Sequence, residues 1–532
     1  MPNRQKFTSR PQVLIAGGGP AGLATAAELA FHGIRSIVIE PRATVSHSRP
    51  RAKTTSPRTM ELFRRWGVAD AVREAAPLKP EWCRRVIFCT TLNGEVITHF
   101  DDAFGMRADP SDIFAEGGQQ VPQPIVEEVL RAHLQSTGLV ELRLAERVTG
   151  LTESSDSVTC EITRDDESTY QITVEYVAGC DGAKGVTRDA IGSTLAGVSS
   201  PRSNLNAVFR APGLHPAIGE AIHYWVIGPE VKATMGPLDG EGIWWAGLGG
   251  IDVTCTEERA VELVAALTGQ PADEIGIELL ATDPWVPRML IANQYASDRV
   301  FLVGESAHVN PPFGGHGFNT CVGDAVNIGW KLAAVLHGWA GPGLLSTYEA
   351  ERREVAQQTI DSATRNLAAS GPDIARTAER IQETKYEEFN SLGLVLGYSY
   401  HDSPVVVTTN EAPPPFNVVD FTPSTVPGSR LPHAWLEPGH ALYDDLGRGL
   451  TLIHPRVADA AVIARFQGKA EHLGIPLTVI PAPAAWAHEH FLLVRPDQHI
   501  AWRGRQLDAS VLPRVVGHLE HADPTRADLD RR

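Results

Sequence analysis

Three stretches of this chain carry glycines and acids at spacings suited to holding a charged, extended ligand. The first is Gly17-Gly18-Gly19-Pro20-Ala21-Gly22, followed 18 residues after Gly22 by Glu40. Gly17 permits a tight turn and Gly19 lets a pyrophosphate approach the backbone. Gly22 lets a helix pack closely on a strand, and Glu40 is in register for ribose hydroxyls. That pattern predicts a dinucleotide site without choosing between NAD and FAD. The second stretch is Gly179-Cys180-Asp181-Gly182, continuing to Arg188. It reads as a capped strand-to-helix turn with a surface arginine. The third runs from Gly304-Glu305 through Pro311-Pro312-Phe313-Gly314-Gly315-His316-Gly317-Phe318-Asn319, and no carboxylate occurs between Asn310 and Cys321. A helix starting near Phe318 or Asn319 would point backbone N–H groups at an anion. His316 and His223 are candidate proton carriers, although a lone histidine more often has a structural role.

The elements that position these residues are legible around them. Gln12–Ala16 is strand-like, Leu23–His32 is rich in helix formers, and Ile37–Ile39 is a second strand ending at Glu40. Val300–Val303 reads as a buried parallel strand, and Cys321, Val322, Ala325, Val326, Leu332, Ala333 and Leu336 form the apolar side of the helix after the late loop. A basic segment with Arg42, Arg49, Arg51, Lys53 and Arg58 leads into an amphipathic helix over Thr59–Trp66. It reads either as a solvated loop of counter-charges or as phosphate neutralisation beside the dinucleotide. A helix follows Pro124, with Gln123 at its start facing a cofactor. Val140–Tyr176 alternates like a meander of strands. Between about 200 and 290, short β-like runs carry Tyr224, Trp225, Trp244 and Trp245. Large aromatics in such runs fill cores more often than they touch ligands.

A chain of 532 residues exceeds one core and suggests roughly three or four units at ~150 residues each. The formal net charge of -17 argues against a general nucleic-acid or anionic-membrane binder. Six cysteines without a CxxC suit a reducing compartment. No signal peptide is visible, and no apolar run reaches the ~18 residues of a membrane span, so a cytoplasmic protein is expected. No metal-ligand pattern is present.

The combination GGGPAG with Glu40, GCDGAKGVTR and GESAHVNPPFGGHGFN resembles the single-component FAD-dependent aromatic hydroxylases. These are the class A flavoprotein monooxygenases with the p-hydroxybenzoate hydroxylase fold, and the similarity covers about residues 11 to 370. It implies a mixed α/β and α+β architecture. A Rossmann-like FAD-binding domain would comprise 1–80, 105–190 and 285–400, and an antiparallel-sheet substrate domain 81–104 and 191–284. In the family the glycine turn and the acid matching Glu40 hold the ADP half, the arginine matching Arg51 contacts the phosphates, and the glutamine matching Gln123 lies along FAD. Asp181 and Gly182 would serve FAD and nicotinamide access, with Gly317, Phe318 and Asn319 at the flavin pyrimidine edge. The family's ribitol-binding acid is aspartate; this chain has Glu305, one methylene longer. Pro312 and Gly314 would line the oxygen pocket, with Trp225, Trp245 and Phe313 at the substrate.

The resemblance further implies that NADPH or NADH reduces FAD, that O2 adds at flavin C4a, and that the hydroperoxide delivers oxygen to an electron-rich ring. A phenolic or polyketide-like aromatic is the expected substrate. Flavin-dependent epoxidation or Baeyer–Villiger oxygenation of an aromatic natural product is the alternative, and a non-catalytic dinucleotide-binding protein a third reading. The stretch 401–430 reads as a linker. Over 431–532 the order is strand (Leu450–Ile453), helix (Ala458–His472), strand (Leu477–Ile480), hairpin (Phe491–Val494, His499–Trp502) and helix (Ala509–Leu519). This resembles the thioredoxin-like C-terminal domain of larger family members. No cysteine follows Cys321, so dithiol chemistry there is excluded and a structural or oligomerisation role is expected, with homo-oligomers left open.

Overall fold

Val13–Ala16 is apolar and buried throughout, and it becomes the middle strand of a five-stranded parallel sheet. The strand order is Val300–Leu302, Tyr176–Gly179, Val13–Ala16, Ser36–Glu40, Val140–Leu144. Every pairing in it is parallel. Ligands of such sheets sit beyond the carboxyl ends of the strands. That geometry gathers the three motifs, because Gly17, Glu40, Cys180–Asp181 and Val303–Gly304 all leave the same edge. The computed structural model describes residues 11–48, 52–228, 232–251, 254–370, 377–486 and 489–518. Of the meander expected over Val140–Tyr176, strands Glu146–Glu153, Val158–Arg164 and Thr169–Val174 form one, whereas Val140–Leu144 pairs parallel with Ser36–Glu40 as the edge of the first sheet. Its Val158, Cys160, Ile162 and Val174 share a core with Leu14, Ile37 and Val177 of the parallel sheet.

A second sheet has seven strands, in the order Glu278–Trp285, Asn204–Arg210, Ile243–Gly249, Lys232–Pro237, His223–Ile227, Val86–Cys89, Val96–Phe100. It departs from a purely antiparallel sheet at one seam: His223–Ile227 runs parallel to Val86–Cys89. More than a hundred residues separate those two strands, so no tight turn dictates their relative direction. Strand alternation then sorts the aromatics. Tyr224, Val226, Trp244, Ala246 and Leu248 face a core closed by Ala260, Leu263, Val264 and Leu267 of the helix Glu257–Thr268. His223, Trp225 and Trp245 point to the other face.

The chain divides into two compact units, the first being Met1–Val326, Arg353–Tyr398 and Phe416–Thr422, the second Asn327–Arg352, Ser399–Pro415 and Pro423–Arg532. The second unit thus draws on residues before 400 and on much of the stretch read as a linker. Its four-stranded sheet has the order Leu477–Pro481, Leu450–His454, Phe491–Val494, Ile500–Gly504, beside the helix Ala460–His472. The first pair is parallel and the other two antiparallel. The long helix expected over 509–519 is instead a short turn, Ala509–Val511, and one helical turn, Leu512–Val515. Gly517, at φ +78°, ends it.

Within this unit a charged cluster is fully buried. Arg495 makes a two-pronged pair with Glu351 (2.7 and 2.7 Å), and Lys331, Ser403 and Asn327 donate to the same carboxylate at 2.8, 2.6 and 2.7 Å. Burial alone would raise the Glu351 carboxyl; Arg495 and Lys331 override it and hold the group far below the usual carboxylate range. The helix Thr347–Ala368 is therefore core at its start.

Candidate active site

The glycine turn forms first, from sterics. Gly17 sits at φ +103°, a conformation side chains disfavour, and a Cβ there would run into the carbonyl of Cys180. A Cβ at Gly22 would collide with the carbonyl of Gly17, so the helix Pro20–Phe31 can lie against its strand only with glycine there. At Gly19 the same construction meets nothing, which leaves open space at the N-terminus of that helix. The first turn carries no acid. Glu40 closes the other side: its Oε2 accepts Gly18 N–H at 2.6 Å, and its Oε1 accepts Arg42 N–H and Nε–H at 2.9 and 2.6 Å. Gln123 is the first residue of the helix Gln123–Thr137 and donates to Glu127, which also receives Arg42. Arg51 lies outside the described residues.

Asp181 and Gly182 are tied to the late motif through one hydroxyl. Ser306 Oγ donates to Asp181 (3.1 Å) and accepts Gly182 N–H (3.0 Å). Asp181 also caps the helix Val186–Ala190, accepting Thr187 N–H at 2.9 Å. Arg188 is not the surface arginine the sequence suggested. It is buried, donating to the carbonyls of Ala183 (2.9 Å) and Ser306 (3.4 Å).

In the late motif Glu305 is exposed on a single turn, Gly304–Ser306, while the acid beneath it is Asp324. Asp324 accepts Gly304 N–H at 3.2 Å and pairs with His308 Nε2 at 2.6 Å, both residues fully buried. Sequence reading passed over this pair, yet the signal was present: Asp324 interrupts an otherwise apolar helix side, and a buried acid needs a partner. The helix itself begins at His316, two or three residues earlier than expected. Gly317, Phe318 and Asn319 therefore lie in its first turn, which has no acid. The Asn319 side chain is fully used. Its Oδ1 accepts Ser56 N–H (2.8 Å) and Thr59 Oγ1–H (2.7 Å), and its Nδ2 donates to Thr54 (3.0 Å) and Gly315 (2.7 Å) carbonyls. Only its backbone remains for a ligand, and its amide clamps the 54–59 segment to the helix start.

The oxygen-loop residues Pro312 and Gly314 form a turn in which Gly315 N–H bonds Pro312 O at 3.1 Å. Gly314 N–H and Lys385 Nζ both donate to Glu388. Phe313 lies 6.3 Å from Trp225, which stacks on Phe88 at 5.4 Å. Lys385 Nζ sits 4.4 Å from the Trp225 ring. His316 is buried against Gly314, and burial lowers its pKa to about 4, so it is neutral near pH 7. His223 lies between Phe104 (5.4 Å) and Trp245 (5.6 Å), and burial and then Lys53 push its pKa far down. The structure thus groups Trp225 with Phe313, and His223 with Trp245. Lys53, named in sequence only as one of several basic residues, lies over Trp245 at 3.7 Å. Nothing in the local sequence separates it from the arginines around it.

Two family models match this chain: FAD binding domain over residues 10–363, and Aromatic-ring hydroxylase, C-terminal, over residues 424–520. The chain belongs to the FAD-dependent aromatic-ring hydroxylases. Aklavinone 12-hydroxylase RdmE of Streptomyces purpurascens is 30% identical over 95% of this chain and 98% of its own length. The rebeccamycin biosynthetic enzyme RebC, solved with reduced flavin, superposes with a TM-score of 0.86 at 30% identity, covering 96% of this chain and 99% of RebC. A ternary complex of aklavinone-11 hydroxylase with FAD and aklavinone gives 0.84 at 29%, covering 96% and 100%.

This hydroxylase is an FAD-dependent monooxygenase, and its residues fit the cofactor. The open space at Gly19 suits phosphates, the Glu40 oxygens lie at the turn, and two acid-free helix starts suit anionic groups. No helix among the described residues is long and apolar enough to cross a membrane.

Proposed function

We propose that this monooxygenase is a single-component enzyme that takes electrons from NADPH or NADH and hydroxylates a phenolic or polyketide-like aromatic with O2. The observation that carries this is one face of the seven-stranded sheet, where Trp225 with Phe313 and Trp245 with His223 present aromatic walls and N–H groups without partners. A flat ring system is complementary to such walls. Bound FAD, once reduced, supplies the oxygen-activating chemistry. The protein's part is to bind, orient and exclude water. Gly17, Gly19, Gly22, Glu40, Arg51 and Gln123 hold the adenine-side half. Asp181, Gly182 and Glu305 take the middle, and the backbone of Gly317, Phe318 and Asn319 faces the flavin's anionic edge. Pro312 and Gly314 shape the oxygen side.

Two of the named relatives are aklavinone hydroxylases by name, and this supports a polyketide-like aromatic substrate here. The test is a panel of phenols and polycyclic aromatics added to purified, FAD-loaded protein with NADPH or NADH. The correct class accelerates nicotinamide oxidation and yields a product heavier by one oxygen. Oxidation indifferent to every aromatic would overturn the reading. Product regiochemistry separates ring hydroxylation from epoxide or lactone formation.

A further inference from the structure

The same face of the sheet carries, over the Trp245 ring, an amine that the local sequence does not single out. Lys53 precedes the short strand Thr54–Thr55, and its carbonyl is fixed by Val121 N–H at 2.7 Å. Its side chain is 8% exposed, and Nζ has no hydrogen-bond partner. Three more covered polar atoms on this side lack partners too: His223 Nε2, Trp225 Nε1 and Trp245 Nε1. Native proteins leave few buried polar atoms unpaired. Lys53 Nζ and the His223 ring both lie at the Trp245 ring, and unpaired atoms gathered there mark a place where a ligand supplies the missing bonds.

We propose that Lys53 Nζ is the catalytic base that takes the proton from a ring hydroxyl of the substrate and then holds the phenolate oxygen. This rests on the hydroxylase reading above and narrows it to aromatics with a free hydroxyl. Burial drives the Lys53 amine well below its ordinary pKa, which favours the neutral form that can accept a proton; the phenolate formed beside it then holds that proton on Nζ. In the step, the substrate O–H bond breaks and an N–H bond forms on Nζ. Neutral amine and neutral phenol become an ammonium–phenolate pair, with no electrons exchanged. The pair has support from one residue: the Trp245 face lies 3.7 Å from Nζ, where it stabilises a cation, and the Trp245 indole N–H, which has no partner, is a donor for an oxyanion. A phenolate is the more electron-rich ring, which is what electrophilic oxygen transfer requires. Among the described residues no carboxylate pairs with Nζ, so proton uptake is coupled to substrate binding.

The experiment uses FAD-loaded protein and 1-naphthol, whose hydroxyl stays protonated in free solution at about pH 7.5. Flavin absorbance is read before the probe is added; protein that holds no FAD would undo the hydroxylase reading, independently of Lys53. Wild type is expected to generate the red-shifted naphtholate band on titration, and to bind 1-methoxynaphthalene, which has no proton to give, about 10- to 100-fold more weakly. Lys53→Met should keep its FAD and lose the band. Lys53→Ala should regain it when ethylamine is supplied. No band in wild type, equal bands in wild type and Lys53→Met, or equal affinity for the two probes overturns the assignment.

Discussion

Asn319→Ala is the perturbation that most sharply tests how the late helix is joined to the rest of the flavin site. Its amide makes four hydrogen bonds, to Ser56, Thr59, Thr54 and Gly315. Ser56 is also the N-cap of the helix Pro57–Trp66, so a single side chain holds one helix start against another. A net ~1 kcal/mol per hydrogen bond, with some partners able to recruit water, gives a loss of about 2–5 kcal/mol. Part of that appears as global destabilisation. The rest appears as weaker FAD binding, because the first turn of the helix is free to drift from the 54–59 segment. Thermal unfolding of apo and FAD-loaded forms, with FAD affinity by flavin fluorescence, separates the two parts. Asn319→Asp is the control: it keeps two acceptor contacts, replaces two donors with a charge facing carbonyls, and should be no better than alanine. A loss below about 0.5 kcal/mol with unchanged FAD affinity would refute the reasoning.

Other perturbations probe separate elements. Lys53→Met should raise apo-protein stability by about 1–3 kcal/mol, because it removes a buried amine with no hydrogen-bond partner, while lowering turnover; a drop in Tm would contradict this. Glu305→Ala should weaken FAD binding without changing the melting temperature of the apo form, since the carboxylate proposed to hold FAD is exposed while the buried Asp324 is paired with His308. Glu351→Ala should cost about 3–5 kcal/mol by removing the carboxylate that Arg495 and Lys331 share, leaving Asp497 as the counter-charge of Arg495, read by denaturant unfolding. The Glu351 pKa is depressed on folding, so its contribution is complete above its unfolded value of about 4.5 and declines as pH falls toward the folded one. The stability gap between wild type and Glu351→Gln should therefore be constant above about pH 5.5 and narrow in acid.

Local rules wrote much of the scaffold into the chain. The glycine turn, Glu40, the Asp181 turn and the late loop were readable because each depends on neighbours within a few residues. The aromatics of the second sheet read together from sequence as core formers; the structure sorts them, with Tyr224 and Trp244 in the core and Trp225 and Trp245 on the other face. What stayed hidden depends on distant contacts. The amide of Asn319 reaches back more than 250 residues to Ser56, and its role as a clamp has no local signature. His308 and Asp324 meet only once the helix folds back on its loop. Lys53 looks like its basic neighbours until Trp245 is laid beneath it. The C-terminal helix was overestimated because the apolar spacing of 509–519 continues past Gly517, whose left-handed φ turns the chain away.

The central claim is that this FAD enzyme places one atom of O2 on an aromatic ring with electrons from NADPH or NADH. Turnover under isotopically heavy oxygen gas, with the aromatic that most accelerates nicotinamide oxidation, tests it directly. The account requires a ring-hydroxylated product carrying one heavy oxygen and one nicotinamide oxidised per product. Label appearing only in hydrogen peroxide, with the aromatic recovered unchanged, would contradict it.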